Sequence, residues 1–243
     1  MLSTMEKHQL EHYSQIYPEL GNLIQKLELS HQMELSRVSH EIRNPVTLVN
    51  SFLQLTQSHH PEVSDFDTWQ PLMENMNYLR NLLDEFSCYN NSRKLQKECF
   101  SLTPFLQTLV SECSSLLSPI SISFVKQSAI PSAAFDRTKL RAAILNLIRN
   151  SAEAIANNPD GYIRVSLSFD GSNFHICVSD NGQQIPEEYL ETLFEPFVSH
   201  KPEGSGLGLA IVQSIVQAHN GSVTVESDSD NTSFTIHLPL CYS

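Results

Sequence analysis

The sequence predicts an α+β protein, in which an N-terminal helical hairpin dimerises into a four-helix bundle and is followed by an α/β sandwich. Three observations favour this fold class. Before residue 90, two long stretches carry apolar side chains at helical spacing. After residue 93, helical stretches alternate with short stretches of period two, which are typical of strands. The chain has 243 residues, 40% of them hydrophobic, which is enough for two modest domains with packed cores.

Charge and composition exclude several classes of protein. The formal net charge is −12 and no basic block is present, so nucleic acid is not an expected partner. No run approaches the roughly 20 apolar residues that cross a bilayer, and the first residues lack a signal-peptide core, so membrane insertion is not expected. The 5 cysteines show no paired spacing, which argues against a zinc site and against a disulfide framework. A reduced, cytoplasmic protein is predicted.

The first helix is predicted from Glu19 to about Ser58, after a polar lead-in at residues 1–18. Pro45 lies inside it and is expected to bend it, because proline removes one backbone donor. Its apolar positions alternate three and four residues apart, the spacing of a helix that buries one seam. These positions are Leu20, Ile24, Leu27, Leu35, Val38, Ile42, Val46, Val49 and Leu53.

His40 is expected to point away from that seam. At about 100° per residue it lies roughly 200° from both Val38 and Ile42. Glu41 follows it directly. An exposed histidine beside a surface glutamate is one interpretation, and a nucleophile with its base is the other. The choice depends on whether the rest of the chain supplies a phosphoryl donor.

A second helix is predicted after the turn at residues 59–62. Its seam is a strict heptad pattern. The seam positions are Trp69, Leu72, Met76, Leu79, Leu83 and Phe86. Two amphipathic helices joined by a short loop form an antiparallel hairpin, but one hairpin cannot bury two apolar stripes. Two copies in a four-helix bundle do so, which predicts a homodimer with residues 19–92 as its dimerisation domain.

Residues 93–243 are predicted to form the α/β sandwich, with helices on one face of a mixed sheet. Turn signals at residues 170–173 mark a hairpin, and Asn220-Gly221 stops the last helix. A long loop is expected at residues 180–206. The predicted helices are 102–117, 136–157 and 207–219, and the predicted strands are 120–125, 162–169, 174–179, 222–226 and 233–238.

Asn146 and Asn150 share one face of the second of these helices, because they are four residues apart. Two amides on an otherwise apolar helix either cap internal hydrogen bonds or face a polar ligand. Neutral oxygen ligands suit Mg²⁺, which keeps waters and substrate phosphate oxygens as its other ligands. Both interpretations remain open on this evidence.

Two further stretches bear on ligand binding. Asp180 leaves a strand next to Gly182, and it is either part of a simple turn or a buried carboxylate that accepts a hydrogen bond from the amino group of adenine. The glycines of Gly204-Ser205-Gly206-Leu207-Gly208 open a helix, where backbone N–H groups can approach phosphates. Between these stretches lies the apolar patch Leu193–Phe197, which is more often packing than chemistry.

The order of all these stretches resembles the transmitter core of the bacterial two-component histidine kinases, over roughly residues 25–240. The resemblance begins with Ser39-His40-Glu41-Ile42-Arg43-Asn44-Pro45 and continues through the asparagine, aspartate, phenylalanine and glycine stretches. Asn150-Ser151-Ala152-Glu153-Ala154 and His219-Asn220-Gly221 look like the nitrogen-regulation branch of that family. Related chaperone, gyrase and mismatch-repair ATPases share the nucleotide motifs but lack the histidine hairpin. The resemblance implies a Bergerat-type ATP-binding domain over residues 93–243.

For the hairpin, the resemblance implies that His40 accepts a phosphoryl group from ATP. Glu41 would take up the proton that His40 releases. Asn44, one turn further on, would position water in the reverse, dephosphorylating reaction. The phosphoryl group would then pass to an aspartate in the receiver domain of a response regulator.

For the second domain, the resemblance implies a site for ATP and Mg²⁺. Asn150 would bind the metal with help from Asn146, and Asp180 would read the adenine amino group. Lys201 and Arg149 are candidates for phosphate contacts. Residues 183–205 would form a mobile lid. The pocket and its lid would be shaped by Gly182, Gly204, Gly206 and Gly208.

Gln184, which departs from the family pattern, and the pair Glu41 and Asn44 each keep an alternative open. Gln184 stands where the family pattern has a second glycine, so a phosphotransfer or docking protein with a degenerate ATP domain is one alternative. A protein that acts mainly as a phosphatase on its regulator is another, based on Glu41 and Asn44. No sensor domain is expected within these residues, so the input comes from the N-terminus, from an upstream sensor protein or from a region outside this sequence.

Overall fold

The structure is a computed structural model that describes residues 17–126, 130–156, 158–201 and 204–240. The chain divides into two compact units, Met1–Asn90 and Asn91–Ser243. Most of the predicted N-terminal lead-in, residues 1–16, lies outside the described residues. Among the helices that are described, none is long and apolar enough to cross a membrane.

The first unit is a hairpin of two long helices. Helix α1 spans Pro18–His59 and α2 spans Trp69–Asn91, with a short 3₁₀ helix at Pro61–Asp65 between them. Pro18 occupies the first turn of α1, where its missing N–H has no intrahelical partner to lose. Helix α1 continues through Pro45. The predicted hairpin is therefore present, and α2 extends five residues past its last predicted seam position.

The face that α1 turns toward α2 differs from the predicted seam. Ser39 and Asn50 are buried, while Val46 and Leu53 are half-buried. Several predicted seam residues are exposed within this single chain. On α1 these are Leu27, Val38, Ile42 and Val49, and on α2 they are Leu72 and Leu79. A single hairpin was not expected to bury both apolar stripes, so burial of these residues against a second copy stays a prediction.

The second unit contains a five-stranded mixed sheet and a separate two-stranded sheet. The five-stranded order is β2-β4-β5-β7-β6, in which β2 pairs with β4 in parallel and the other neighbours are antiparallel. The strands of this sheet are β2 (Ser121–Lys126), β4 (Tyr162–Phe169), β5 (Asn173–Asp180), β6 (Ser222–Ser227) and β7 (Thr232–Pro239). The predicted mixed sheet is confirmed.

Three helices cover one face of this sheet. They are α3 (Leu102–Leu116), α4 (Arg137–Ala154) and α6 (Gly208–Ala218). Every second residue of β5 and β7 is buried toward them, which is the period-two alternation that the sequence showed. The inward stripe of α4 carries Leu140, Ala143, Ile144, Leu147, Ile148 and Ser151. At one end of this apolar core lies the buried side chain of Asp180, the last residue of β5.

Three short elements were not predicted. Strands β1 (Glu98–Ser101) and β3 (Ser132–Phe135) pair with each other, and α5 (Glu187–Leu190) interrupts the long predicted loop. Each has only four residues, which is too short for a periodic pattern to show. The pairing of β1 with β3 depends on residues more than thirty positions apart and is therefore invisible to local patterns.

Candidate active site

His40 lies on the exposed side of α1, and its neighbours fix that direction. The hydroxyl oxygens of Ser39 and Ser87 are 2.8 Å apart, and Arg43 donates a hydrogen bond to the Asp84 carboxylate at 2.7 Å. Both contacts join α1 to α2. Because Ser39 and Arg43 hold one face of α1 against α2, His40 projects into solvent.

Glu41 and Asn44 are also exposed, and the structure does not bring them to His40. The Glu41 carboxylate pairs instead with the guanidinium of Arg37, one turn earlier, at 3.7 Å. Within the part of the chain that the structure describes, the His40 ring makes no hydrogen bond. The imidazole is therefore positioned by its helix alone.

Asp180 is the last residue of β5 and continues its inward-facing row after Val178. It is 1% exposed, so it places a carboxyl group at the edge of the apolar core. Its Oδ1 accepts a hydrogen bond from the Gly182 N–H at 2.9 Å. Burial raises the pKa of Asp180, against the lowering effects of the Ser151 hydroxyl, the Gly182 N–H and the Lys201 charge.

The chain after Asp180 is pressed against the end of α4. A Cβ at Gly182 would lie 2.7 Å from the Cβ of Ala154, so only glycine allows this approach. The Gln183 N–H donates to the Ala154 carbonyl oxygen at 3.4 Å. The Oδ1 of Asn181 also accepts a hydrogen bond from the Tyr162 N–H at 2.8 Å, at the start of β4. These contacts place Asp180 beside the last turn of α4.

Asn146 and Asn150 lie on α4 and are both half-buried. The Nδ2 of Asn146 donates to the Ala142 carbonyl oxygen at 3.1 Å, which leaves its Oδ1 as the available oxygen. A Cβ at Gly208, the first residue of α6, would lie 3.5 Å from that Oδ1. The Asn150 amide makes no hydrogen bond to any residue within the described ranges.

These amides fit a hard divalent cation. Two neutral side-chain oxygens supply part of an octahedral shell, and the phosphate oxygens of a nucleotide and water supply the rest. A cation held by charged or sulfur ligands alone is not indicated, because no group of three or more His, Cys, Asp or Glu side chains in the described residues is arranged to hold a metal ion. Asn146 and Asn150 could therefore hold a metal ion only together with other ligands, such as the phosphate oxygens of a nucleotide.

The glycine-rich segment ends at the start of α6. Gly206 has a φ of 69°, and its carbonyl oxygen accepts from the Phe197 N–H at 3.0 Å. A Cβ at Gly206 would lie 2.6 Å from the Val198 carbonyl oxygen. Gly204 lies against Ser199. This packing brings the predicted glycine stretch and the phenylalanine stretch together before α6 begins at Gly208.

The predicted lid, residues 183–205, makes an ion pair to α4 and has a ring contact within itself. Lys201 forms an ion pair with Glu153 on α4. The ring of His200 stacks on Tyr189 of α5, with ring centres 3.6 Å apart and planes 9° from parallel. Gln184, which departs from the family pattern, is exposed. Arg149, the other phosphate-contact candidate, is exposed as well.

Sequence reasoning missed Ser151, which follows Asn150 and is 1% exposed. Its hydroxyl lies near the Asp180 carboxyl and lowers the pKa of that group. Ser151 belongs to the motif Asn150–Ala154, in which the sequence analysis assigned a role only to the asparagine. A polar side chain on the inward stripe of α4 was the signal that could have identified it.

Together these features are those expected of an ATP-binding α/β sandwich. Its marks are a buried carboxylate at a strand end, two amides on a neighbouring helix and a glycine segment leading into a further helix. Residues 135–241 match the family model described as "Histidine kinase-, DNA gyrase B-, and HSP90-like ATPase". The second unit therefore contains an ATP-binding domain of this family.

Several known proteins are similar to this chain over both the helical hairpin and the ATP-binding domain. The sensory histidine kinase/phosphatase NtrB of Vibrio alginolyticus is 30% identical over 214 residues, covering 84% of this chain and 61% of NtrB. The fold is shared with full-length ShkA, solved with AMPPNP, at a TM-score of 0.74 and 22% identity over 87% of this chain and 46% of that one. It is shared with histidine kinase ThkA, solved with response regulator TrrA, at a TM-score of 0.63 and 24% identity over 93% of this chain and 66% of that one.

The chain carries a transmitter core of the kind found in sensor histidine kinases, a helical hairpin followed by the ATP-binding domain. The resemblance to the nitrogen-regulation branch is compatible with the NtrB match. The chain spans 61% of the length of that NtrB and about half the length of another curated relative.

Proposed function

We propose that this protein uses Mg·ATP to phosphorylate His40 and then transfers the phosphoryl group to an aspartate of a response-regulator receiver domain. The observation that carries the proposal is an exposed histidine, followed by a glutamate, on the hairpin of a chain whose second unit is an ATP-binding domain. The related chaperone, gyrase and mismatch-repair ATPases lack the hairpin that carries this histidine.

The nucleotide site is assigned to residues of the second unit. Asp180 accepts a hydrogen bond from the adenine amino group, and Asn150 ligates Mg²⁺ with Asn146 alongside. Bound Mg²⁺ neutralises charge that develops on the β- and γ-phosphate oxygens. The N-terminus of α6 at Gly208 offers backbone N–H groups to phosphate. Lys201 is proposed to leave Glu153 and contact phosphate when nucleotide is present.

In the first reaction a neutral ring nitrogen of His40 attacks the γ-phosphorus in line. A nitrogen–phosphorus bond forms as the bond from that phosphorus to the β–γ bridging oxygen breaks, and ADP departs. The other ring nitrogen gives its proton to a base. Glu41 is the proposed base, which requires its carboxylate to turn from Arg37 to His40.

In the second reaction a receiver aspartate attacks the phosphohistidine. An oxygen–phosphorus bond forms, the nitrogen–phosphorus bond breaks, and His40 takes back a proton. The transfer runs downhill because the phosphohistidine bond is high in energy. The pairing of ThkA with response regulator TrrA supports a receiver domain as the partner class.

A homodimer is proposed from the exposed apolar residues of the hairpin. Val38, Ile42 and Val49 follow helical spacing on α1, and Leu72 and Leu79 do so on α2. A second copy presents the same rows, so two hairpins close a four-helix bundle and bury all of them. The occupant of this surface is therefore another copy of the chain.

The signal is proposed to reach α1 from an upstream sensor protein or sensor region. The reaction consumes ATP and modifies a response regulator, which places it in the cytoplasm. Both statements follow from the proposed reaction.

The test of the kinase is incorporation of labelled γ-phosphate from Mg·ATP into the wild type and His40→Gln. Label that is acid-labile, stable to alkali and missing from His40→Gln supports the proposal. Absence of label in a wild-type chain shown to be folded by circular dichroism overturns it. That result would favour a phosphotransfer or docking protein and direct attention to Gln184, and a titration without saturable Mg·ATP binding would show that the ATP domain has degenerated.

A second function, dephosphorylation of the regulator, is favoured by the position of Asn44. It is exposed on α1 one turn after His40, and NtrB is described as a kinase/phosphatase. Asn44→Ala is expected to lengthen the lifetime of the phosphorylated regulator and to leave autophosphorylation intact. An unchanged lifetime would remove this role.

A further inference from the structure

Lys201 is held at the end of α4 by contacts of its side chain and of its backbone. Its ammonium group forms an ion pair with the Glu153 carboxylate. The Oγ of Ser199 accepts a hydrogen bond from the Lys201 N–H at 3.2 Å and donates one to the Lys201 carbonyl oxygen at 3.1 Å. That carbonyl oxygen also accepts from the Gly204 N–H at 3.2 Å. The loop that carries Lys201 therefore directs its side chain toward Glu153.

Glu153 lies beside the residues that are proposed to bind the metal and the nucleotide. It follows Asn150 on α4 by three positions, so the two side chains share one face of the helix, with Cβ atoms about 5–6 Å apart. The charge of Lys201 lowers the pKa of Asp180, so the ammonium group lies within electrostatic reach of that carboxyl. A cation and an anion are thus paired where a magnesium–nucleotide complex is proposed to bind.

This ion pair can be opened by a competing anion. The side chains of Lys201 and Glu153 are 52% and 46% exposed, and an ion pair in contact with water is weak. A phosphate group carries more charge than a carboxylate and offers more acceptor oxygens. The γ-phosphate must lie at the exposed edge of the site if it is to be transferred to His40. It is therefore the phosphate of ATP that competes for Lys201, and ADP lacks it.

We propose that Glu153 is a specificity-determining residue, because its carboxylate competes with the γ-phosphate of ATP for Lys201. ATP opens the ion pair when it binds, and the pair forms again after the γ-phosphoryl group has left. Glu153 thereby lowers the affinity for ATP and leaves the affinity for ADP unchanged, so it sets how strongly the site prefers substrate over product. This inference rests on the proposed function, because it assumes that the site binds ATP.

The experiment is a double-mutant cycle of Glu153→Gln and Lys201→Gln, in which Mg·ATP and Mg·ADP are titrated calorimetrically. Glu153→Gln is expected to bind ATP roughly two- to fivefold more tightly than the wild type, the effect of one exposed ion pair that no longer has to open. Its affinity for ADP is expected to equal that of the wild type. In the Lys201→Gln background, Glu153→Gln is expected to leave the ATP affinity unchanged, because no ammonium group has to be released.

Glu112→Gln is the matched control, since Glu112 forms a similarly exposed ion pair with Arg141 of α4 at 2.8 Å. Arg141 lies roughly 13 Å before Asn150 along the helix axis, so this variant is expected to bind both nucleotides like the wild type. Equal ATP affinity in the wild type and Glu153→Gln would overturn the inference alone. An equal gain for ATP and ADP, or an equal gain without Lys201, would also overturn it. No saturable binding of Mg·ATP by the wild type would overturn the proposed function as well, so the two failures are distinguishable.

Discussion

Asp136 and His219 are joined by a hydrogen bond in which the Asp136 backbone N–H donates to Nε2 of the His219 ring at 3.0 Å. The other ring nitrogen, Nδ1, lies 2.8 Å from the Ile215 carbonyl oxygen and donates to it. Because Nε2 accepts, it carries no proton, and the neutral tautomer with hydrogen on Nδ1 is fixed. His219 thereby connects the end of α6 to the start of α4, the two helices that carry Gly208 and Asn150.

The protein is expected to lose stability as the pH falls below about 6.5. Burial lowers the pKa of His219, so the ring stabilises the fold above its unfolded pKa of about 6.5 and loses this contribution in acid. Each proton taken up only on unfolding changes the free energy of unfolding by about 1.4 kcal/mol per pH unit. Urea unfolding at pH 7, 6 and 5 measures the slope.

The control for this slope is a pair of variants. His219→Gln is expected to be less stable at pH 7 but to show a flatter dependence on pH. The pKa of His237 is also lowered, by burial and by the nearby His175, so His237→Gln separates its contribution. A slope in His219→Gln equal to that of the wild type would contradict the assignment.

Asp180→Asn is expected to separate folding from nucleotide binding. A carboxyl whose folded pKa is raised by burial favours the fold only below its unfolded pKa of about 3.9, so it opposes folding at neutral pH. The variant should therefore unfold at pH 7 at an equal or higher urea midpoint. Its affinity for Mg·ATP should fall about ten- to a hundredfold, because a hydrogen bond to a charged acceptor is lost.

The matched change is Asp160→Asn at an exposed aspartate, which is expected to alter neither property. Calorimetric titration and urea unfolding measure both variants. A clearly lower midpoint for Asp180→Asn would show that the carboxylate has a structural role instead.

Gly206→Ala is expected to damage the site more than the same change at Gly171. Both glycines have positive φ, 69° and 100°, so alanine costs on the order of 1 kcal/mol at each. At Gly206 the added Cβ would also meet the Val198 carbonyl oxygen, whereas at Gly171 it has nothing within 4 Å. Gly206→Ala should therefore weaken Mg·ATP binding, and Gly171→Ala should leave it unchanged. Equal affinities in the two variants would sink this prediction.

Ile42→Glu or Leu79→Glu is expected to convert the proposed dimer to a monomer. Each variant puts a charge among apolar side chains that a second hairpin would bury, and an unpaired buried charge is strongly unfavourable. Light scattering at micromolar concentration measures the mass. Gln54→Glu adds the same charge on α1 at an exposed position and should stay dimeric. A monomeric wild type, or a dimeric Ile42→Glu, would rule out this interface.

The sequence predicted those elements whose pattern is local and long. The helix predicted from the heptad at Trp69 and the alternation of β5 and β7 are present in the structure, because each pattern repeats several times along the chain. The periodic pattern could not distinguish the face of α1 that packs against α2 from the face that is exposed in the single chain. Val46 turns toward the hairpin while Ile42 is exposed, although both fit one helical period.

The candidate site was predictable where a motif names the residue type and was not predictable where a contact spans the fold. Asp180 and Asn150 could be proposed because the motifs that contain them resemble those of a known family. The pairing of Ser151 with Asp180 depends on β5 meeting the end of α4, and that of Asp136 with His219 joins residues 83 positions apart. No local pattern encodes such distances, because they arise only when the sheet has formed.

The pairing of β5 with β7 has a consequence for how this family of domains can diverge. Asp180 and Thr232 are register partners, and the chain between them leaves the sheet after β5, forms α5 and α6, and re-enters the sheet through the edge strand β6. Lengthening such an excursion adds little closure entropy, about 0.6 kcal/mol for each doubling of a flexible loop. Insertions in the loops of this segment can therefore accumulate while the strand ladder stays intact, so the segment proposed to cover the nucleotide can be remodelled by evolution or by protein engineering with little loss of stability.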